Sequence, residues 1–488
     1  MACPYCLQPK PRTSSASMRE KDIDAEIERT ENLISRLFTE RSRLYRKRNE
    51  MRSPIYSLPN EILLLIFKFA CPSLDFLHHY GLDRNYTREV TYPHIISILS
   101  AVSARWHNIV SSTPSLWASL VADDTSPYLM QMVFARSGNL PIAASFSLRD
   151  LSASYQSTIL YPILREHAAR IRMLNVRGVT RNWLKQHITR FIHLESLCLE
   201  DGTTREEILS VENPCPRFVL KRFTCRISLA WSKIRVLHLI DIPVDVSLEM
   251  LGQCTNLIEF RLRDPVVFRV EGVQFPSSPF VLPCLELFEW PVYHNSEADR
   301  PMLQYARMPA LQTLIWNRLG VFDAPSDALS NTFFDHFSST LTTLQIEGGI
   351  IRSGLSMFSH FLTLSGVKHL ILEGCSDHFI DDVFSKLASE VCTFENREML
   401  VLPKLQSIWI GDIDGHLDQR KVLQTFRRRC SWPIGSLKEN IFRLEVMERH
   451  MGWTPEFRAG LIKMVEEGYK VELWEKSKPV DWLSSRTK

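Results

Sequence analysis

Across its 488 residues the chain has no apolar run approaching the roughly 20 residues that a membrane-spanning helix needs, and no apolar core of a signal peptide at its N-terminus. It lacks a strong charge of either sign: a net charge of +3 over this length gives no field for nucleic acid or an anionic membrane. The motifs of common catalytic sites are missing too. There is no G-x-S-x-G elbow, no G-x-x-x-x-G-K phosphate loop, no G-x-G-x-x-G turn and no H-E-x-x-H pair. Cys3-Pro4-Tyr5-Cys6 is the only C-x-x-C, and a structural zinc site needs four ligands, so no metal centre and no cofactor is expected. The 11 cysteines are scattered through core-patterned segments, which suits reduced, buried thiols. These absences predict a non-enzymatic chain of the cytoplasm, the nucleus or both, with no nucleic acid and no membrane among its partners.

With 45% hydrophobic and 23% charged residues, the chain can build a substantial core. The most informative stretch is Ser57-Leu58-Pro59-Asn60-Glu61-Ile62-Leu63-Leu64-Leu65-Ile66-Phe67. Pro59 suits the first helical position, and Glu61 suits the positive end of the macrodipole. The following apolar residues wrap the whole helix, so every face needs cover, while the flanking segments are polar. A partner surface is the simplest cover. Ile95, Leu99, Val102, Trp106 and Ile109 repeat at helical spacing and predict a second amphipathic helix, and Pro114 starts a third, short one holding Leu116 and Trp117.

Leu58-Pro59 with Glu61-Ile62-Leu63 and Ile66-Phe67, then Val102-Ser103-Ala104-Arg105-Trp106, then Thr113-Pro114-Ser115-Leu116-Trp117 resemble the F-box in order and residue type. The departures are a long connection from Ser73 to Tyr92, which holds His78-His79-Tyr80, and Ser103 where many F-boxes have cysteine. The histidine pair, in a polar loop, reads as solvated. The resemblance implies docking on the Skp-family adaptor of an SCF-type cullin-RING ubiquitin ligase, and through it on the cullin. Leu58, Pro59, Ile62, Leu63, Ile66, Val102, Trp106, Leu116 and Trp117 would either bury at that adaptor or order the small helical module.

Before this module, Ile23, Ile27, Thr30, Ile34, Leu37, Arg41, Leu44, Arg48 and Met51 keep a 4, 3 spacing, and Ser17 with Glu20 reads as a capping box. A long helix over 18–51 follows, after a disordered tail of 1–17. Acids dominate its first half (Glu20, Asp22, Asp24, Glu26, Glu28, Glu31) and bases its second (Arg36, Arg41, Arg43, Arg46, Lys47, Arg48). That order suits the macrodipole and also antiparallel pairing with a second copy, but polar Thr30, Arg41 and Arg48 on the seam weaken the pairing, so a solvated helix docked on its own F-box is preferred and a homodimer is the alternative. Arg46-Lys47-Arg48 reads as a charged helix face sooner than as a nuclear signal.

From about residue 165 the unit apolar-x-x-apolar-x-apolar recurs: Ile171-Leu174-Val176, Leu194-Leu197-Leu199, Ile234-Leu237-Leu239, Leu257-Phe260-Leu262, Leu285-Phe288-Trp290, Leu311-Leu314-Trp316, Leu341-Leu344-Ile346, Val367-Leu370-Leu372 and Leu405-Ile408-Ile410. Unit starts lie 23 to 40 residues apart, and the two gaps of 40 and 38 have room for degenerate copies. One strand-and-return cannot bury its own apolar face, whereas stacked copies share a core. The pattern resembles a leucine-rich-repeat solenoid, with the expected Asn or Cys after the strand found cleanly only at Cys375.

The expected fold class is therefore α/β, or α+β over the whole chain: a long N-terminal helix, a small all-α F-box module over 53–120, a junction over 121–164, and a leucine-rich-repeat-like α/β solenoid over 165–488. A helix from Thr454-Pro455 and a strand from Tyr469 to Trp474 would cap the solenoid. Within the junction a helix from Tyr128, a turn at Ser137-Gly138-Asn139 and a strand near Pro141 are expected. Arg427-Arg428-Arg429 reads as the solvated end of a helix. Contacts to an unknown protein substrate should come from side chains alternating with the inward ones: His238, Arg261, Arg263, Glu289, Asn317, Gln345, Glu347, Glu373 and Trp409. The joint reading is a substrate-recognition subunit of an SCF-type ligase, the alternative being a non-catalytic repeat scaffold outside the ubiquitin system.

Overall fold

The computed structural model describes residues 14–71, 74, 92–121, 127–149, 151–200, 208–223, 225–266, 273, 276–293, 299–319, 333–334, 336–337, 339–349, 364–389, 391–394, 397–413, 416–431, 441–447 and 452–484. Cys3, Cys6 and the His78-His79 pair lie outside them. Two compact units divide the chain, one of Met1–Pro72 with Ile95–Ser112 and one of Ser73–His94 with Thr113–Lys488. The fold class is α/β.

In the first unit, helix α1 (Ser14–Arg52) begins four residues ahead of the expected boundary, which puts Ser17 inside the helix. Helix α2 (Asn60–Ala70) starts one residue later than expected, because Pro59 has an extended ψ of 154° and serves as the N-cap, its carbonyl accepting from the Leu63 N–H at 3.1 Å. The expected second helix is two, α3 (Tyr92–Val102) and α4 (Ala104–Ser112). Ser103 breaks the run: its hydroxyl accepts from the Trp106 N–H at 3.2 Å, an N-cap bond that offsets an orphan donor of the new helix.

The second unit is built on one 15-stranded sheet whose strands lie side by side in sequence order. They are β1 (Ser119–Val121), β2 (Ile142–Ser147), β3 (Ile171–Arg177), β4 (Ser196–Glu200), β5 (Arg217–Lys221), β6 (Val236–Ile240), β7 (Glu259–Arg263) and β8 (Leu287–Tyr293). After them come β9 (Thr313–Leu319), β10 (Thr343–Gly349), β11 (His369–Cys375), β12 (Ser407–Gly411), β13 (Phe442–Val446), β14 (Val471–Glu475) and β15 (Lys478–Pro479). Every pairing is parallel except that of β14 with β15.

All nine apolar units of the sequence end in a strand of this sheet. The gap of 40 residues does hold a degenerate copy, β5, in which Cys215-Phe218-Leu220 supplies the apolar triplet. The gap of 38 holds none: β11 pairs directly with β12, and the extra chain forms a helix and the antiparallel hairpin Val391–Phe394 with Arg397–Leu400. The sheet also extends beyond the expected solenoid. Strands β1 and β2 fall before residue 165, so the stretch expected to be a junction, with its helix α5 (Pro127–Arg136) and Gly138 at φ +57°, forms part of the sheet unit.

Register makes the core. Leu174, Leu197, Phe218, Leu237, Phe260, Phe288, Leu314, Leu344, Leu370, Ile408 and Leu444 are successive partners on one face, and all are buried. The position two residues beyond the last apolar one of a strand repeats a left-handed turn, at Gly178, Arg222, Asp241, Asp264, Gly348, Gly374 and Asp412, with φ between +45° and +70°. Six of these seven residues are glycine or aspartate, which tolerate that conformation, so the chain leaves these seven strands the same way.

Return helices α6 (Asp377–Ser389), α7 (Gln419–Ser431) and α8 (Pro455–Glu466) pack side by side. Arg429, expected at a solvated helix end, is instead buried. Its guanidinium donates to the carbonyls of Val401 and of Leu402, the latter at 2.6 Å. Burial lowers its pKa to about 10. The C-terminal helix and the strand after it form where expected: the Thr454 hydroxyl accepts from the Phe457 N–H at 3.2 Å, and Gly468 follows the helix at φ +89°.

Candidate functional site

Two surfaces carry the residues singled out by the sequence. The first is on α2 and α3. Leu63 and Phe67 turn inward, where the Phe67 ring meets Trp106 at 4.7 Å between centroids. Ile62, Leu65, Ile66 and Phe69 form the i, i+3, i+4, i+7 stripe on another face of α2 and are 40 to 86% exposed; Ile98 and Val102 of α3 are more than half exposed. The all-round burial expected of α2 is therefore half met, since one stripe stays open to solvent. Leu65, Phe69 and Ile98 were not among the expected contacts, although their helical spacing from Ile62 and Val102 was readable.

Arg105 fixes the entry to α2. Its guanidinium donates to the carbonyls of Tyr56 at 2.7 Å and Leu58 at 2.6 Å and to Asn60 Oδ1 at 2.7 and 3.0 Å. Four charge-assisted bonds hold the Leu58-Pro59 bend against α4, joining segments more than 40 residues apart in sequence. Pro59 is exposed and Leu58 and Trp106 are half-buried. Leu63, Leu116 and Trp117 have at most 2% of their surface free, so they can order the fold but have no area to give a partner. Leu116 and Trp117 belong to the sheet unit, where the Arg136 guanidinium lies 4.7 Å over the Trp117 ring.

The second surface is the face of the sheet opposite the core rows. Pairing puts His238, Arg261, Glu289, Ile315, Gln345, Ile371, Trp409 and Glu445 in one row, and Asn317, Glu347, Glu373 and Gly411 in the next. All nine expected contact residues are on this face, but they differ in availability. Glu289 is fully buried, held by Arg263 at 2.5 and 3.1 Å and Arg261 at 3.3 Å. His238 is also buried, with Nε2 3.0 Å from Glu259 Oε1. These two serve an ion-pair network, and are corrected from contact residues to supports. Burial would raise the Glu259 pKa, but the hydrogen bonds from His238 and Arg261 outweigh it and hold the carboxyl at about 2.

Further along, the network runs short of cations. Gln345 donates to Glu347 at 2.7 Å and to Glu373 at 3.0 Å, and Asn317 donates to Glu347 at 3.1 Å. Burial, with the charges of Glu289 and Glu373 outweighing that of Arg263, pushes Glu347 up to about 7; burial and then Asp412 raise Glu373. Beside them a hollow of about 670 Å³ is lined by Gln345, Ile371, Glu373, Trp409, Arg443 and Glu445 among others. The Trp409 indole lies over Gly411, where an added Cβ would meet the ring at 2.4 Å, so the missing side chain at Gly411 is what lets the ring lie flat. Nearer the N-terminus this face is covered: Leu74 packs on Cys198 and Val219, both wholly buried. Among the described residues no three His, Cys, Asp or Glu side chains are grouped to hold a metal ion, and no helix is long and apolar enough to cross a membrane.

The comparisons agree with the helical module. Residues 55–123 match the family model of the F-box-like domain, and no curated protein matches the chain. The chain carries an F-box-like domain, a module that works by protein–protein contact.

Proposed function

We propose that this chain is the substrate-recognition subunit of an SCF-type cullin-RING ubiquitin ligase. The observation that carries the proposal is the exposed apolar stripe of Ile62, Leu65, Ile66 and Phe69 inside the F-box-like match. Contiguous apolar residues on a helix face of a folded module mark a site for a protein partner. A Skp-family adaptor covers this stripe together with Pro59 and Val102, and the adaptor brings the cullin. The chain works without chemistry of its own, as a bridge in the cytoplasm or nucleus. Its sheet unit, with strands in sequence order and one recurrent turn, is read as a leucine-rich-repeat-like solenoid. The open face presents the substrate site, centred on the Trp409 hollow, where Gln345, Glu373 and Trp409 are available. The unbalanced carboxylates beside a flat indole favour a cationic side chain of a substrate protein.

Affinity capture of the intact chain should recover adaptor and cullin, and the double variant Ile62→Asp with Ile66→Asp should lose both while its sheet unit melts as before. Capture undiminished in that variant overturns the docking assignment. A chain that never recovers the cullin is instead the non-catalytic scaffold.

A further inference from the structure

Every described side chain of α1 from residue 22 to residue 49 is exposed. Ile23, Ile27, Leu33, Ile34, Leu37, Phe38, Leu44, Tyr45 and Met51 are 46 to 80% exposed, and at 100° per residue they occupy one arc of roughly 140°. An isolated helix of 39 residues with such a stripe leaves its main stabilising face in water.

The polar residues of the stripe identify the occupant. Assigning Ile27, Ile34, Arg41 and Arg48 to one seam position and Ile23, Thr30, Leu37, Leu44 and Met51 to the other gives unbroken heptads. Within its own helix Arg41 sits 4.7 Å over the Phe38 ring and Arg48 4.9 Å over Tyr45, so the seam arginines are already laid along apolar surface. Acids dominate the N-terminal half and bases the C-terminal half, the exceptions being Arg19, Lys21 and Arg29 in the first and Glu40 and Glu50 in the second. A parallel copy would place acid against acid and base against base, whereas an antiparallel copy places each half against its complement.

We infer that α1 pairs with α1 of a second copy of this chain as an antiparallel coiled coil in a single register. In that register Ile34 of one chain layers with Leu37 of the other, Ile27 with Leu44, Thr30 with Arg41 and Ile23 with Arg48. No apolar layer then faces a lone charge without a polar or acidic neighbour: Arg41 meets Thr30 beside Glu31, and Arg48 meets Ile23 beside Asp24. The flanking position Glu26 meets Lys47, twice per pair by symmetry. The inference does not depend on the F-box-like domain binding an adaptor.

Light scattering or sedimentation of the full chain at tens of micromolar should give twice the 56.6 kDa of one chain. Glu26→Lys alone and Lys47→Glu alone should each weaken the pair about tenfold or more, since each makes two like-charge contacts. An equimolar mixture of the two variants should regain the wild-type dimer constant, because in the mixed pair both contacts between positions 26 and 47 again join opposite charges. A wild-type monomer, a mass other than twice that of the chain, or a mixture no stronger than its components overturns the inference. The substituted side chains are exposed, so an unchanged melting profile of the sheet unit checks that each variant is folded.

Discussion

Phe67 and Phe69 are two residues apart on α2 and identical in chemistry, and their truncations should separate folding from docking. Phe67 is wholly buried against Trp106, so Phe67→Ala removes a packed ring and leaves a cavity, a loss of about 3–5 kcal/mol in the stability of the first unit. Phe69 is 86% exposed, so in the free chain Phe69→Ala gives up little. On an adaptor it would lose nearly the full burial of a phenylalanine, about 2 kcal/mol or roughly 30-fold in Kd. Calorimetric titration of the full chain with purified adaptor, alongside thermal unfolding followed by circular dichroism, reads both quantities. The expected result is crossed: Phe69→Ala weakens binding at unchanged stability, and Phe67→Ala unfolds the module. If Phe69→Ala binds like wild type, the exposed stripe is not the docking face; if Phe67→Ala melts like wild type, the packing account of α2 is wrong.

Two further perturbations test the sheet unit. Glu347 has a folded pKa of about 7 against an ordinary value of 4.5, so the native state binds the extra proton in that interval and stability should fall as pH rises from 4.5 to 7. Glu347→Gln should flatten this slope to the share that Glu373 contributes and raise the urea midpoint at pH 8 by the equivalent of about 1–3 kcal/mol; a variant with the wild-type slope refutes the assignment. Arg429→Met removes the guanidinium donor from the buried carbonyl of Val401 and one of two donors from that of Leu402, which keeps the Leu405 N–H, and should cost about 1–3 kcal/mol in thermal unfolding of the sheet unit, with adaptor affinity unchanged.

Much of the fold was legible because its apolar signals are local. A triplet such as Leu237-x-Leu239 preceded by Ile234 makes a strand wherever it lies, and nine such triplets placed nine strands of the sheet. The same reading missed β5 as a definite copy because Cys215 stands where a larger aliphatic residue was expected, and split the sheet at residue 165 because Ile142–Ser147 has no triplet of this form. The break at Ser103 was passed over since the spacing from Ile95 to Ile109 runs on undisturbed; a single hydroxyl hydrogen bond outweighed it. The sites were less legible than the strands. Arg105, Arg429 and Glu289 act through partners tens of residues away in sequence, and such partners are fixed by register and packing, which no short-range pattern encodes.

Sequence by itself determined nine strands of the sheet and the main helices, that one helix carries more apolar surface than its neighbours can hide, and that acids dominate the first half of α1 and bases the second. These follow from local periodicity and charge order, which survive in any fold. Only the tertiary structure decided that Leu63 and Phe67 turn inward while Ile62, Leu65, Ile66 and Phe69 stay in solvent, and that His238 and Glu289 support the open face while Glu373 and Trp409 line its hollow. The physical reason is that exposure is a property of what packs on a residue. Two residues of one type, two positions apart, receive opposite roles when only one of them meets another element.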